Sequence, residues 1–228
     1  MSFHSAYITF VYSLKIEKLK KADKEFFQSG QKLPLIDEFY TVQGEAFHMG
    51  KAAYFIRIGG CDIGCRWCDT KISWDFNTHK LIDIQDVVAN VIKNEADTIV
   101  VTGGEPSIYE LAPLCKILKE NSIQTHVETS GAYKLTGEWD WICLSPKKQS
   151  PPLEEIYKKA SELKVIIYEP EDYKWAEETA KKVNKNCKLF LQPEWSRYNS
   201  LIPEIVEYVK RNKKWQISLQ AHKFMRIP

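Results

Sequence analysis

Short apolar runs alternate along this chain with segments in which apolar residues recur at helical spacing. Residues 98–102 form a β-branched run that ends at Gly103 and Gly104, which is typical of a buried strand followed by a turn. Asp83 is a candidate N-cap, because the apolar positions after it follow a helical period up to Ile92. The pattern predicts strands at residues 52–58, 98–102, 124–128, 141–145, 165–168, 189–192 and 215–219. Further helices are predicted at residues 111–121, 153–163, 173–183 and 202–212.

Strands that alternate with helices are typical of βαβ units and a parallel sheet. About six such units fit in 228 residues, whereas a complete eight-unit barrel usually takes ~250 residues. We therefore predict an α/β fold, an incomplete TIM-type barrel of parallel strands, with an open doubly wound sheet as the second choice. In both folds, ligands bind at the carboxyl ends of the strands.

The chain divides into two segments of different composition. Residues 1–32 form a lysine-rich N-terminal extension, for which we expect a solvated amphipathic helix, and residues 33–228 form the main domain. The extension could also be an edge element, a dimer arm or disordered, and the sequence does not choose among these.

Composition and charge exclude several classes of protein. Apolar residues make up 44% of the chain and charged residues 27%, as is usual for a folded domain. The formal net charge is only +2, which argues against nucleic acid as a partner. No apolar run reaches the ~18 residues that span a bilayer, and no signal peptide is evident. We expect a cytoplasmic protein without a membrane partner.

Three of the six cysteines crowd into one segment, Cys61, Cys65 and Cys68, with the spacing C-x3-C-x2-C. Thiolates suit zinc or iron–sulfur clusters. Three ligands to a four-iron cluster leave one iron open for a small molecule. A closed zinc site would need a fourth ligand and usually a second cysteine pair, and a redox disulfide would leave one thiol unexplained. We favour the open cluster. For Cys115, Cys143 and Cys187 we expect small buried side chains.

The segment Gly103-Gly104-Glu105-Pro106 follows a predicted strand. It lacks the spacing of a dinucleotide fingerprint or a P-loop. Alone it could be a plain turn that needs positive φ. Beside a cluster loop, its glycines would let the backbone approach a ligand, and Glu105 could balance an ammonium group.

The cysteine segment, with Trp67 before its last cysteine, resembles the cluster loop of radical S-adenosylmethionine enzymes, and Gly103–Pro106 resembles their GGEP element. The resemblance implies that Cys61, Cys65 and Cys68 hold a [4Fe–4S] cluster. Its open iron would bind the amino and carboxylate groups of S-adenosylmethionine, whose reductive cleavage gives methionine and a 5′-deoxyadenosyl radical. The cofactor performs that chemistry, and the protein orients it and keeps it dry.

Within those enzymes, residues 35–228 resemble the 7-carboxy-7-deazaguanine synthase family of queuosine and 7-deazapurine biosynthesis. The matching motifs occur in order: Val42-Gln43-Gly44-Glu45, Phe55-Ile56-Arg57, Gly60-Cys61, Cys68-Asp69-Thr70, Thr102-Gly103-Gly104-Glu105-Pro106, Glu128-Thr129, Ser145-Pro146-Lys147, Gln192-Pro193 and Gln220-Ala221-His222-Lys223. One departure is Ala46, where the family often has glycine, which affects the backbone freedom of that loop.

The resemblance implies conversion of 6-carboxy-5,6,7,8-tetrahydropterin to 7-carboxy-7-deazaguanine with loss of ammonia, assisted by Mg²⁺. Arg57, a forked cation, suits the substrate carboxylate, and Thr70 offers a hard oxygen to Mg²⁺. The implied substrate-binding residues are Val42, Gln43, Gly44, Glu45, Arg57, Thr102 and Pro228. The residues implied for S-adenosylmethionine are Trp67, Cys68, Asp69, Gly104, Ser145, Pro146, Lys147, Gln192, Pro193, Glu194 and Trp195.

The family also implies a homodimer and an external electron donor such as flavodoxin or ferredoxin. Two alternatives remain open from the sequence. A glycyl-radical-activating enzyme would share the cluster loop but act on a partner protein. A zinc-stabilised binding module is disfavoured by the missing second cysteine pair and the near-neutral charge.

Overall fold

The structure is a computed structural model that describes residues 29–228, so most of the predicted N-terminal extension lies outside it. The described residues form one sheet of nine strands: β1 Lys32–Val42, β2 Ala52–Ile58, β3 Lys80–Asp83, β4 Thr98–Gly103, β5 Gln124–Thr129, β6 Trp141–Leu144, β7 Glu162–Ile167, β8 Lys188–Pro193 and β9 Trp215–Ile217. The α-helices in this part of the chain are α1 Ile84–Lys93, α2 Ala112–Glu120, α3 Glu154–Lys159, α4 Glu171–Ala180, α5 Tyr198–Arg211 and α6 Ala221–Met225.

The strand order is β3-β1-β2-β4-β5-β6-β7-β8-β9. Every neighbouring pair from β2 to β9 is parallel, whereas β1 is antiparallel to both β2 and β3. The parallel strands follow chain order without the reversal that marks a doubly wound sheet. The prediction of an incomplete barrel is therefore confirmed, with an antiparallel hairpin added at one edge.

The two faces of the sheet have different chemistry because side chains alternate along a strand. On the helix-covered face, Ile56 and Val101 pack in one core cluster with Val87 of α1, and Leu163 packs in a second cluster with Ile205 of α5. All of these side chains are almost fully buried, and each such burial contributes ~1.5–3 kcal/mol. The opposite face points towards the barrel interior, where the candidate site lies, and combines a small apolar cluster of Ala53, Phe55 and Val100 with polar side chains such as Lys164.

The structure corrects several element boundaries. Residues 162 and 163 belong to β7 and not to the helix predicted at residues 153–163, because Ala160 ends α3 and turns the chain. Strands β1 and β3 and the short helix α6 were not predicted. In the part of the chain that the structure describes, no helix has the length and apolarity needed to cross a membrane.

Candidate active site

A cavity of about 270 Å³ lies at the carboxyl ends of the parallel strands. It is lined by every residue that the sequence singled out for substrate, cofactor or metal binding, with the exception of Pro146. Pro146 is buried between two lining residues, Ser145 and Lys147. Residues from opposite ends of the sequence therefore meet in one place, from Val42 to Pro228.

The cluster loop leaves β2 through Gly59 and Gly60, and all three of its cysteines line the cavity as free thiols. Burial raises the pKa of Cys61 to about 12, so this thiol is protonated until a metal displaces its proton. Three free, soft donors on one short loop fit a [4Fe–4S] cluster. The cysteines outside the loop, Cys115, Cys143 and Cys187, are buried and do not line the cavity, as predicted.

The glycines at the end of β4 lie against this loop. The Gly104 N–H donates to the Ile58 carbonyl at 2.7 Å, and the Glu105 N–H donates to the Gly60 carbonyl at 2.9 Å. A Cβ on Gly104 would overlap the Gly60 carbonyl oxygen. Gly103 adopts φ +109°, a conformation suited to glycine. The glycines therefore permit backbone-to-backbone packing that places the cluster loop.

Glu105 links the ends of two strands. Its Oε1 accepts hydrogen bonds from Ser107 N at 3.0 Å, Ser107 Oγ at 2.7 Å and Thr129 Oγ1 at 2.5 Å, and its Oε2 accepts from Ser130 N at 2.8 Å. Only 2% of the residue is exposed. Glu105 lines the cavity, where the sequence analysis expects it to balance an ammonium group. The four hydrogen bonds show that it also connects the ends of β4 and β5.

The loop after β1 enters the cavity with its side chains already ordered. Gln43 Nε2 donates to Glu128 Oε1 at 3.0 Å, and Gln43 Oε1 accepts from the Glu45 N–H at 3.0 Å. Ala46 adopts φ +51°, which costs an L-residue ~1–2 kcal/mol. The loop thus keeps a left-handed turn at the position where the related family often has glycine.

Lys164 is a site residue that the sequence analysis missed. It is 3% exposed, its ammonium group contacts Glu45 Oε2, and it donates to Glu128 Oε2 at 3.1 Å. Gln220 Nε2 donates to the other Glu45 oxygen at 2.9 Å. Burial alone would raise the pKa of Glu45, but the contact with Lys164 outweighs it and lowers that pKa. A lysine within the apolar strand Glu162–Ile167 was the available signal.

Arg57 is the penultimate residue of β2 and lines the cavity. Its Nη1 donates to Asp37 Oδ2 at 2.9 Å, and the group lies 5.0 Å from the centre of the Phe39 ring. Phe39 in turn stacks on Phe55 with ring centroids 5.5 Å apart. The Asp37 contact uses one of the five guanidinium donors, so the cation is oriented and can still bind an anion.

The predicted metal ligand Thr70 lines the cavity beside Asp69, and its hydroxyl donates to Asp69 Oδ1 at 3.2 Å. Asp69 Oδ2 accepts from Lys223 Nζ at 3.3 Å and from Gln220 Nε2 at 3.4 Å. Burial would raise the pKa of Asp69, but Lys223 and these hydrogen bonds lower it. Two hard oxygens next to each other fit Mg²⁺, which prefers oxygen ligands.

Residues predicted to hold S-adenosylmethionine lie at the ends of β6 and β8. Lys147 Nζ donates to Ser145 Oγ at 2.8 Å and lies 5.6 Å from the centre of the Trp67 ring. Burial lowers the pKa of Lys147. Trp195 is half-exposed and packs edge-on against Phe224 with centroids 5.3 Å apart. The ammonium group of Lys223 lies over the Trp195 ring, 4.8 Å from its centroid.

The C-terminal segment packs against the loop after β1 and lines one side of the cavity. The Ala221 N–H donates to the Gly44 carbonyl at 2.8 Å, and His222 lies so close to Gly44 that a Cβ there would overlap its ring. This contact explains the glycine in the loop after β1. Pro228 lines the cavity as the last residue, although α6, which carries the chain there, was not predicted.

A partial barrel with three cysteines on a loop after a strand defines a radical S-adenosylmethionine enzyme, and residues 55–142 match the model of the Radical SAM superfamily. This membership implies a [4Fe–4S] cluster and S-adenosylmethionine as cofactors. Among curated proteins, 7-carboxy-7-deazaguanine synthase of Flavobacterium psychrophilum is 55% identical over 201 residues, covering 88% of this chain and 95% of the relative. The chain belongs to the 7-carboxy-7-deazaguanine synthase family.

Two other similar proteins support membership of this family. The synthase of Synechocystis is 42% identical over 85% of this chain and 93% of its own. The crystal structure of QueE from Escherichia coli matches with a TM-score of 0.73 at 28% identity, covering 89% of this chain and all of that one. The protein is therefore an enzyme of the lyase class with a small-molecule substrate. Neither the glycyl-radical-activating enzyme nor the zinc-stabilised binding module agrees with this membership.

Proposed function

We propose that this enzyme catalyses the Mg²⁺-dependent ring contraction of 6-carboxy-5,6,7,8-tetrahydropterin to 7-carboxy-7-deazaguanine with release of ammonia. One observation carries the proposal: a single cavity holds the Arg57 guanidinium, the carboxylates of Glu45 and Glu128, and the cluster cysteines. A pterin with a 6-carboxylate has an anion at one end and N–H donors at the other, so it complements this distribution of charge.

The residues that would hold the cofactors surround the same cavity. Cys61, Cys65 and Cys68 would bind the cluster, and the residues at the ends of β4, β6 and β8 would bind S-adenosylmethionine, with Trp67 and Asp69 beside them. When bound, these groups would supply a 5′-deoxyadenosyl radical, which is able to abstract a hydrogen such as that at C6 of the pterin. Loss of ammonia leaves the overall conversion redox-neutral, so it needs no net oxidant or reductant.

The chain's own side chains bind and orient the substrate. Arg57, held by Asp37, would bind the 6-carboxylate in a forked geometry. Val42, Gln43, Gly44 and Glu45 would bind the opposite edge, and Thr102 and Pro228 would border the substrate. Phe39 and Phe55 give the cavity an apolar surface that excludes water from the reacting ring.

Further parts of the proposal concern Mg²⁺, partners and location. Thr70 would bind Mg²⁺ together with substrate oxygens and waters, because Mg²⁺ seldom has an all-protein cage. We also propose an external electron donor such as flavodoxin or ferredoxin, a homodimer, a cytoplasmic location and residues 33–228 as the catalytic domain.

The test is anaerobic reconstitution followed by turnover with the carboxypterin and mass spectrometry of the products. We expect 7-carboxy-7-deazaguanine and ammonia from the wild type, and no iron and no product from Cys65→Ala. A brown, iron-loaded wild type that cleaves S-adenosylmethionine but leaves the pterin unconsumed would refute the proposed substrate.

A further inference from the structure

Lys164 occupies an unusual position for a lysine. Its neighbours Leu163 and Val165 pack into the core between the sheet and the helices, so alternation along β7 directs Lys164 into the barrel interior. Only 3% of the residue is exposed. An unpaired ammonium at such a depth would be strongly disfavoured, and the two carboxylates that it contacts explain why it is tolerated.

The two carboxylates come from different parts of the fold. Glu45 lies on the loop after β1 and Glu128 lies at the end of β5. Lys164 bridges them, and Gln43 ties the same loop to Glu128 through a 3.0 Å hydrogen bond. Like charges this close would repel each other without a shared cation. The three groups together leave one net negative charge, which favours a ligand edge rich in N–H donors.

We propose that Lys164 is a positioning residue of the reaction, which keeps the Glu45 carboxylate ionised and holds it beside that of Glu128, so that both accept hydrogen bonds from the aminopyrimidinone edge of the pterin. This inference rests on the proposed function. Lys164 does not touch the substrate in this scheme; its effect is transmitted through Glu45 and Glu128.

The charges around Lys164 favour its protonated form, which the proposed positioning of the two carboxylates requires. Burial alone would lower the pKa of Lys164, but the carboxylates of Glu128 and Glu45 outweigh burial and raise that pKa well above the ordinary value. Burial also raises the pKa of Cys143 well above its ordinary value, so this thiol is neutral and the carboxylates supply the negative charge. The titratable and charged groups around Lys164 are Glu45, Glu128, Cys143, Lys147, Glu162 and His222.

Removing the Lys164 cation should raise the pKa of Glu45. In Lys164→Met, Glu45 loses the contact that lowers its pKa, and burial becomes the dominant influence. The pKa of Glu45 therefore rises in the variant, so a larger fraction of this carboxyl group is protonated and presents a donor where the pterin also presents a donor. Raising the pH ionises Glu45 again, so binding to the variant should recover as the pH rises.

The experiment measures anaerobic binding of 6-carboxypterin, a non-reacting fluorescent probe, to cluster-loaded protein without turnover. For Lys164→Met we expect an affinity loss of about 10–100-fold at neutral pH. The ratio of variant to wild-type affinity, which cancels ionisation of the probe itself, should approach one as the pH rises. S-adenosylmethionine affinity should be unchanged. Lys164→Arg keeps the charge and should keep the wild-type pH profile.

Lys188→Met is the matched control, because Lys188 is an exposed lysine at the opposite end of the neighbouring strand β8. If Lys164→Met does not fold, Lys164→Gln replaces it as a neutral variant of similar length. Equal, pH-independent losses of pterin and S-adenosylmethionine affinity would indicate a purely structural part and overturn the inference. Unchanged pterin affinity would also overturn it. A wild type that fails to bind 6-carboxypterin would instead refute the proposed function, and this inference with it.

Discussion

The Glu105 N–H donates a 2.9 Å hydrogen bond to the carbonyl oxygen of Gly60, the residue immediately before the first cluster cysteine. The same carbonyl occupies the space that a Cβ on Gly104 would need. The end of β4 and the start of the cluster loop are therefore in direct backbone contact.

Gly104→Ala should displace the cluster loop, because the clash is with backbone atoms that cannot rotate away. We expect a large loss of bound iron per chain after anaerobic reconstitution and a free energy of unfolding lowered by about 1–3 kcal/mol. Gly50→Ala is the control, since Gly50 has φ +86° but open space around its Cα. Equal iron content in both variants would contradict the proposed packing constraint.

Glu105→Gln should destabilise the protein. The amide replaces one carboxylate oxygen by a donor, which then faces Ser130 N or the Ser107 donors. A buried, unsatisfied group of this kind costs about 2–4 kcal/mol, which corresponds to a fall in Tm of roughly 5–10 °C. Thermal unfolding measures the fall in Tm. The control is Glu120→Gln, which alters an exposed ion pair with Lys116 and should shift Tm little.

Much of this site follows from the sequence because parallel strands end at one edge of a sheet. Gly103, Glu128, Ser145 and Gln192 come at the ends of predicted strands, and the structure brings them to one cavity. Lys164 was missed because a lysine between apolar neighbours marks an unusual strand position but does not reveal which carboxylates from distant segments lie beside it.

The edge hairpin was also beyond the sequence pattern. β1 contains Pro34, which disfavours a central strand, and its register with β2 shifts between Leu35 and Asp37. Such a bulge interrupts the alternation of apolar and polar residues that identifies strands. The contact of His222 with Gly44 depends on this hairpin and on the path of the C-terminal segment, so no local pattern could reveal it.

Arg57→Gln should weaken the binding of carboxylated pterins selectively. Loss of a forked cation from a carboxylate site should lower kcat/KM by about 10–100-fold. Binding of a pterin without the 6-carboxylate should change little. Comparing the losses for the two ligands measures how selectively Arg57 recognises the carboxylate. Asp37→Asn is the control, since it removes the negative charge beside Arg57 but keeps the guanidinium cation. Equal losses for both ligands would show that Arg57 does not bind the carboxylate.

Thr70→Ala should alter the response to Mg²⁺ and spare cofactor cleavage. Removal of one hard ligand should raise the Mg²⁺ concentration for half-maximal turnover by about tenfold or more. Thr70→Ser retains the hydroxyl and should resemble the wild type. The measurement is a Mg²⁺ titration of pterin turnover beside S-adenosylmethionine cleavage without pterin. An unchanged titration curve for Thr70→Ala would exclude Thr70 as a ligand.

Stability should fall in mild acid because of a histidine inside the barrel. The His126 ring lies 4.6 Å from the His48 ring, and burial, together with nearby His48 and Lys51, lowers the pKa of His126 to about 4. An unfolded histidine titrates near ~6.5. Between these two pH values the unfolded chain binds more protons than the folded one, so the stability present above pH ~6.5 is lost progressively as the pH falls towards about 4.

His126→Phe keeps an aromatic ring in place and removes the titrating group. Urea unfolding should show that the wild type loses about 1–2 kcal/mol more than this variant between neutral pH and pH ~5. His48, whose pKa burial also lowers, remains in both proteins and does not account for the difference. Identical losses would mean that His126 titrates over the same pH range in the folded and unfolded states, in conflict with its burial against Trp141 and His48.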